Sequence, residues 1–447
     1  MGSHVKRLST IGLGAALFLV CLGLPTQGQD FWSPRHVVLD TYTEPVPFPC
    51  DGHTLLAYEL HITNMDRLPI RLASIDVLAD NATVPIESYA TDKLAASLNR
   101  IRMAGQADTV TEVMGGQRAI LHVLLSYDSQ APLPERLTHR IRYAFVKHDG
   151  SEVDATIEGG AIRVAREREA VTIGAPLGDG IWLAARSVSE GLSGHRAGAI
   201  RPQNGIPYQK GRYAIDWAGL DSTGVAYHGS MVKNEDWVGY GAEVLAVADG
   251  RVVMVQDGLP DSQPFDPNVL DNLTGQTLGG NEIVVDIGND LFAFYGHLQP
   301  GSINVKEGDQ VRQGQLLGLL GNSGNSTAPH LHFQINRAIP IRGEAVPFVF
   351  EDYAYLGEGG SNWGFNPTAQ WQEMVDGMIA GLKIGTAEVP RQEPVAVDAM
   401  VTASIRNSMM RNAPRTPTPD WVSVLREGGQ RRTREMPGSG AVISFGH

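Results

Sequence analysis

The stretch GNSGNSTAPHLHFQI, residues 321–335, decides how the rest of the chain is interpreted. His330 and His332 stand two residues apart in a strand-like context, and such residues point to the same face of a strand. Their imidazoles therefore converge on one point, which suits one metal ligand beside one base. A strand histidine can also be a solvated or core residue, but the preceding Gly-Asn-Ser-Gly turn and Pro329 favour a built site.

Residues 171–355, which surround this stretch, are rich in glycine and patterned as short strands. Examples are GAEVLAVADGRVV at 241–253 and GNEIVVDIGNDLFAFYGHL at 280–298, and helical periodicity is nearly absent. The pattern predicts an all-β domain. Residues 257–280, full of Pro, Asn and Asp, interrupt it and predict a surface loop of the kind often found at a site.

Several motifs in this segment resemble, in order and spacing, the lysostaphin-type (LytM-like) zinc metallopeptidase family. AIDW at 214–217, followed by GAEVLAVADGRVV, resembles the opening half of the family's core. YGHL at 295–298, followed by residues 305–333, resembles its closing half. The resemblance implies an antiparallel β core with a groove, a Zn²⁺ cofactor and an activity that cuts peptide crosslinks in bacterial cell walls.

The resemblance assigns roles to four residues of this chain. Asp216 of AIDW matches the zinc carboxylate, and His332 matches the zinc-binding histidine. His330 matches the catalytic histidine, which orients the attacking water or accepts its proton. His297 of YGHL matches a second active-site histidine that stabilises the developing oxyanion. Zinc in such sites polarises the scissile carbonyl and lowers the pKa of water to about 7.

One element of the family pattern is missing. The family's first zinc ligand is a histidine four residues before the aspartate, where this chain has Arg212. Arginine cannot ligate zinc, because its guanidinium stays protonated in proteins. Either His195 folds back from upstream to supply the ligand, or His228 supplies it from a downstream loop, or the site is degenerate and does not hold zinc.

Two further residues are predicted to contact substrate. Arg212 can grip a carboxylate through two parallel hydrogen bonds, a role that suits arginine. Asn281, at the start of a predicted strand beside the long insertion, is the second candidate. The predicted metal ligands are His195, Asp216 and His332, and the predicted catalytic residues are His330 and His297.

Residues 36–170 predict a separate β-sandwich of immunoglobulin type. Segments such as LLAYELHITN and RAILHVLLSY alternate apolar with polar residues, and several end in Asn, Asp or Gly turns. Nothing in this part indicates catalysis, so we expect an accessory module that acts as a spacer or a docking surface.

The two ends of the chain have distinct compositions. Residues 1–29 combine Lys6 and Arg7, an apolar run and a small-residue exit, a pattern typical of a secretory signal peptide or of an uncleaved anchor. Residues 356–447 form a C-terminal extension, in which 368–382 predict a short helix, 383–435 a Pro- and Arg-rich tail and 440–445 a final strand.

Charge and cysteine content narrow the possible functions. The chain has 447 residues and a formal net charge of -13, which argues against a nucleic-acid partner, since phosphate binding needs clustered Lys and Arg. Removal of residues 1–29 leaves Cys50 as the single cysteine, so an intramolecular disulfide and a cysteine-rich metal site are both excluded. No transmembrane span is expected in the mature chain.

The sequence therefore predicts an exported all-β protein of a bacterial periplasm, envelope or exterior. Its predicted function is that of a zinc endopeptidase which cleaves peptidoglycan peptides by means of activated water. The alternative is a degenerate LytM-like module that binds cell wall or activates a cell-wall amidase.

Overall fold

The computed structural model describes residues 36–100, 111–189, 195–197, 201–229, 231–266, 268–269, 273–339, 342–359 and 429–445. The predicted signal segment at 1–29 and the predicted helix at 368–382 lie outside these residues. Within them, strands dominate and no helix combines the length and apolar character that crossing a membrane would need.

The first part of the described chain contains ten strands and one short helix. They are β1 (Val37–Asp40), β2 (Phe48–Cys50), β3 (His53–Asn64), β4 (Ile70–Ala79), β5 (Glu87–Ala90), α1 (Thr91–Ser97), β6 (Leu98–Arg100), β7 (Glu112–Val113), β8 (Arg118–Asp128), β9 (Arg136–Val146) and β10 (Glu152–Arg163).

These strands form two antiparallel sheets that share one core. The first sheet has the order β1-β3-β8-β6, with β2 paired to β3, and the second has the order β10-β9-β4-β5, with β7 paired to β4. Fully buried side chains from both sheets, including Leu60, Val77 and Ile141, belong to the same apolar cluster. This is the two-layer arrangement that alternating strands require, because each sheet must bury one face. The immunoglobulin topology stays a prediction.

The second part of the chain is again made of strands. They are β11 (Val171–Ile173), β12 (Gly180–Ala185), β13 (Arg201–Gln203), β14 (Ile206–Tyr208), β15 (Ile215–Leu220), β16 (Glu243–Leu245), β17 (Gly250–Gln256), β18 (Asn281–Asp286), β19 (Phe292–Leu298), β20 (Gln310–Val311), β21 (Leu316–Leu319), β22 (Leu331–Ala338), β23 (Arg342–Ala345), β24 (Phe348–Phe350), β25 (Tyr353–Glu358), β26 (Gln430–Arg432) and β27 (Ala441–Phe445).

An antiparallel sheet of eleven strands organises this part. Its order is β20-β17-β18-β19-β22-β15-β12-β27-β25-β26, with β23 paired to β22. Alternate residues such as Ile215, Tyr295 and Phe333 enter the larger apolar core from one face. Because side chains alternate along a strand, Asp216 and His332 lie on the opposite face. The all-β prediction is confirmed.

The last strand of the described residues lies inside this sheet, although it is distant from its neighbour β12 in sequence. The predicted strand at 440–445 is observed as β27, which pairs antiparallel with β12 on one side and β25 on the other. All five of its residues are buried. The C-terminal extension therefore contributes to the peptidase-like core, and the larger apolar cluster also takes in Phe48, Cys50 and Leu55 from the N-terminal strands.

We expect Ile443→Ala to destabilise the protein strongly. Ile443 is fully buried in the larger core, and removal of a buried branched side chain costs about 2–5 kcal/mol. Val153, which is 40% exposed on β10, serves as the control, because Val153→Ala removes little buried surface. Urea denaturation followed by circular dichroism measures both; an equal effect of the two substitutions would contradict the placement of β27.

Candidate metal centre

The centre of the site is a pair of side chains on two neighbouring strands. Asp216 of β15 and His332 of β22 are direct cross-strand partners. Nδ1 of His332 lies 2.9 Å from Oδ1 of Asp216, and the carboxylate is 2% exposed. The strand register alone thus places the two residues predicted as zinc ligands side by side.

His195 reaches the same point from outside the sheet. It begins a short 3₁₀ turn, His195–Ala197, and its Nε2 lies 2.9 Å from Oδ1 of Asp216. The ring packs edge-on against His332 at a centroid distance of 4.5 Å. His195, Asp216 and His332 each offer a ligand atom, and these three atoms lie within 4.8 Å of one another.

His228 takes no part in this group. Its Nε2 pairs with Oδ2 of Asp221 at 3.0 Å, on a side chain that is 68% exposed. Within the described part of the chain, His195 is the histidine that accompanies Asp216 and His332 in a potential metal group. Of the two candidates for the missing ligand, the geometry favours His195.

Gln334 orients His332. Nε2 of His332 lies 2.8 Å from the amide oxygen of Gln334, whose own amide nitrogen donates to the Lys210 carbonyl at 3.0 Å and to Asn336. An amide oxygen only accepts, so Nε2 carries the proton and, in the neutral ring, Nδ1 turns its lone pair toward Asp216. Outer hydrogen bonds of this kind orient metal-binding histidines in general.

His330 and His297 lie beside the group. Nε2 of His330 is 3.4 Å from Oδ1 of Asp216, and its Nδ1 lies 2.8 Å from the Ala328 carbonyl. Nδ1 of His297 lies 2.8 Å from the Ser323 carbonyl. Because a carbonyl only accepts, Nδ1 is the donor in both rings, and in the neutral tautomer Nε2 is left as a base. The two ring centroids are 4.7 Å apart.

His297 occupies an unusual backbone conformation. It lies in β19 with φ 65°, in the left-handed region that residues other than glycine seldom adopt. Its amide donates to the Gly279 carbonyl at 2.8 Å, and its carbonyl accepts from Gly321 at 3.0 Å. Strained residues of this kind concentrate at functional sites.

Burial and mutual contacts shift the pKa values of Asp216, His195 and His297. Burial alone would raise the pKa of Asp216, but His195 and His330 hold it well below its ordinary value. Burial lowers the pKa of His195 to about 4, against the opposing effect of Asp216. Burial, with His330 and His332 nearby, also lowers the pKa of His297. A carboxylate together with imidazoles is a donor set that binds zinc.

The donors fit a metal ion. Nδ1 of His332 offers a lone pair toward an ionised carboxylate, an arrangement that a cation between them would stabilise. Nε2 of His195 is buried and, among the described residues, makes no hydrogen bond, although it lies close to the same carboxylate oxygen. Two histidines and one aspartate are a three-ligand set that suits zinc with an open fourth position.

Arg212 faces away from this group. It is 3% exposed, and its Nε lies 3.2 and 3.0 Å from the two carboxylate oxygens of Glu59 on β3. Its bidentate partner is therefore a residue of the N-terminal strands. The guanidinium that is predicted to bind a substrate carboxylate is therefore paired with Glu59 inside the protein.

Asn281 is likewise engaged inside the protein. It is fully buried, its amide oxygen accepts from the Leu259 amide at 2.8 Å, and its amide nitrogen donates to the carbonyls of Leu259 and Leu298 at 2.8 and 2.9 Å. These bonds tie the start of the long insertion to the end of β19, next to His297. Its predicted contact with substrate stays a prediction.

Three residues near the site were not among those predicted from the sequence. Gln334 follows His332 by two residues, and that spacing on one strand face was the available clue. Nε of Arg186 lies 4.0 Å from Oδ2 of Asp216, and no sequence pattern links the two. Glu282, 5% exposed, lies on β18 beside Gly296, the cross-strand partner of His332.

Residues 230–346 match the model of peptidase family M23. The matched range includes His297, His330 and His332 and begins after Asp216. This finding confirms the lysostaphin-type resemblance.

Several curated proteins match part of this chain. The chain is 45% identical over 106 residues to the peptidoglycan DD-endopeptidase ShyA of Vibrio cholerae, covering 24% of this chain and 19% of that protein. It is 48% identical over 56 residues to the glycyl-glycine endopeptidase ALE-1 of Staphylococcus capitis, covering 12% and 15%. It is 36% identical over 106 residues to the murein hydrolase activator EnvC of Escherichia coli, covering 24% and 20%. The matches thus span a fifth or less of each relative.

Among solved structures, the catalytic domain of lysostaphin from Staphylococcus simulans is 26% identical, with 32% of this chain and 79% of that chain covered and a TM-score of 0.18. The fold described above rests on the strand pairings of this chain.

Glu282 predicts a pH-dependent stability. Burial raises its pKa to about 7, against the effect of Lys210. The folded state then keeps a proton that the unfolded state releases, so the free energy of unfolding falls as pH rises from about 4.5 to 7. We expect Glu282→Gln to remove this loss and to exceed the wild-type stability by roughly 3 kcal/mol above pH 7.

Urea denaturation at a series of pH values measures this difference. The control is Glu235→Gln, at an exposed carboxylate, which should follow the wild-type curve. A constant difference between Glu282→Gln and wild type across the whole pH range would rule out titration of Glu282 as the cause.

Proposed function

We propose that this protein is a zinc-dependent endopeptidase that cleaves peptide crosslinks of bacterial peptidoglycan. The observation that carries the proposal is the convergence of ligand atoms from His195, Asp216 and His332 within 4.8 Å, with His330 and His297 beside them. Two relatives of this chain, ShyA and ALE-1, are named as endopeptidases, and ShyA is named for peptidoglycan. Because that polymer lies outside the cytoplasm, we also propose that the protein is exported.

His195, Asp216 and His332 would hold the zinc ion. The bound ion would supply Lewis-acid polarisation of the scissile carbonyl and a water of lowered pKa. Gln334 keeps His332 in one tautomer, and the cross-strand register keeps Asp216 opposite it. Two of the three proposed ligands thus lie in fixed register on one sheet.

His330 would move the proton. The Ala328 carbonyl holds its Nδ1–H, so in the neutral ring Nε2 is the base that faces the carboxylate side of the site. After Nε2 takes a proton from the attacking water, the same atom can donate it to the departing amine nitrogen. His297, held in the same way by the Ser323 carbonyl, becomes an oxyanion donor only when its Nε2 is protonated.

The second candidate is a non-catalytic module that activates a cell-wall hydrolase. Two observations favour it: EnvC, which is 36% identical over 106 residues, is named as an activator, and Arg212 replaces the family's first histidine ligand. In that case the groove would bind a partner enzyme or the wall itself.

Zinc content tests the ligand set. We expect about one zinc per wild-type chain and almost none in His332→Ala or His195→Ala, because a catalytic zinc needs three protein ligands. His228→Ala is the matched control, since this exposed histidine lies outside the group, and should keep full zinc. Elemental analysis after desalting gives the result; full zinc in His195→Ala would refute the assignment of this residue.

Hydrolysis of purified peptidoglycan separates the two functions. We expect wild type alone to release uncrosslinked peptides, and His330→Gln to lose about 10²- to 10⁴-fold in kcat while it keeps its zinc, because the general base is removed and the ligands stay. Chromatography of the soluble products measures the rate. An inert wild type that nevertheless speeds a purified amidase would establish the activator instead.

A further inference from the structure

The residue after His195 is anchored in the N-terminal strands. Arg196 is 1% exposed, and one of its terminal nitrogens donates to the Val123 carbonyl at 2.8 Å and to the Tyr58 carbonyl at 3.1 Å. The same nitrogen lies 3.5 Å from the carboxylate of Glu59. Tyr58 and Val123 are cross-strand partners on β3 and β8, so the anchor is a rigid part of the first sheet.

Glu59 also holds the segment that leads into Asp216. Both of its carboxylate oxygens accept from Arg212, which precedes Asp216 by four residues. Gln209 closes the arrangement, because its side-chain amide donates to the Arg196 carbonyl. One carboxylate therefore contacts the side chain next to His195 and a side chain just before Asp216.

The charge of Glu59 fixes the positions of the two arginines in this cluster. Glu59 is buried, and although burial alone would raise its pKa, Arg212, His122 and Arg196 hold it well below its ordinary value. A buried charge that loses its partner is costly, so each arginine is held where Glu59 is. A 3₁₀ turn of three residues has few hydrogen bonds of its own, and the contacts of this cluster hold it in place.

We propose that the N-terminal β-sandwich is a structural part of the metal site, in which Glu59 acts as a positioning residue for His195 through Arg196. The inference rests on the proposed function for the identity of the metal. It also gives Arg212 a role: the side chain at the usual ligand position turns into the sandwich and pairs with the carboxylate that anchors the substitute ligand.

The test compares two buried carboxylates of the sandwich in the full-length protein. Glu59→Gln removes the charge that pairs with Arg196 and Arg212. Asp76→Asn is the matched control, because Asp76 on β4 is 4% exposed and pairs with Arg142 at 2.9 Å in the other sheet. Zinc affinity is measured by competition with a chromophoric chelator, and amide hydrogen exchange of residues 195–197 is measured by mass spectrometry in the metal-free protein.

We expect Glu59→Gln to weaken zinc binding roughly 10- to 100-fold, the range that loss of an outer supporting contact causes. It should also speed hydrogen exchange at 195–197, whereas Asp76→Asn changes neither. A merely structural effect would lower the stability of both variants and affect zinc equally. Wild-type affinity and exchange in folded Glu59→Gln, or equal losses in the two variants, would overturn the proposal.

A second variant covers the case in which Glu59→Gln does not fold. Arg196→Met keeps a long side chain but offers no donor to the two carbonyls and the carboxylate, so it should show the same loss of zinc affinity and the same faster exchange. If wild type binds no zinc, the proposed function fails, and the exchange measurement on metal-free protein still decides whether Glu59 positions the turn.

Discussion

The contact between Asp216 and His332 is the constraint on which the site depends. A carboxylate that is 2% exposed loses most of its hydration, and such a charge is tolerated only where partners replace the water. Its Oδ1 lies 2.9 Å from nitrogen atoms of His332 on the adjacent strand and of His195 in the turn, and 3.4 Å from His330 in the loop before β22. A metal ion among these nitrogen atoms would supply the partner that the carboxylate needs. Their approach to one oxygen is what gives the site its capacity for a metal ion.

The strand register also fixes which residues flank this contact. β22 pairs with β15 and β19, so His332 lies between Asp216 and Gly296. Glycine at 296 lets the ring of Phe294 lie close to that strand, because a Cβ there would meet the ring at 2.8 Å. The left-handed backbone of His297 then directs its imidazole toward His330 instead of along the strand.

The buried ion pairs around Glu59 carry a desolvation cost, so a contribution to stability does not by itself explain them. Buried ion pairs often contribute little or nothing to folding, because desolvation offsets their attraction. Here one carboxylate orders two arginines from separate segments, and each segment carries a proposed metal ligand. Orientation of those segments is a reason for keeping charged residues where apolar ones could pack.

The sequence by itself determined everything that depends on local pattern. The all-β character, the final strand and the pairing of His330 with His332 follow from alternation along single strands, and the order of the motifs identified the M23 segment. Local pattern favoured His195 over His228 only through the turn residues between His195 and Asp216. It gave no sign of the partners that Arg212 and Asn281 have inside the protein. Those outcomes belong to the tertiary structure, because Glu59 and Arg212 are 153 residues apart and only the packing of the two parts brings them together. A residue's partner at that separation is set by the global arrangement of strands, which no local spacing encodes.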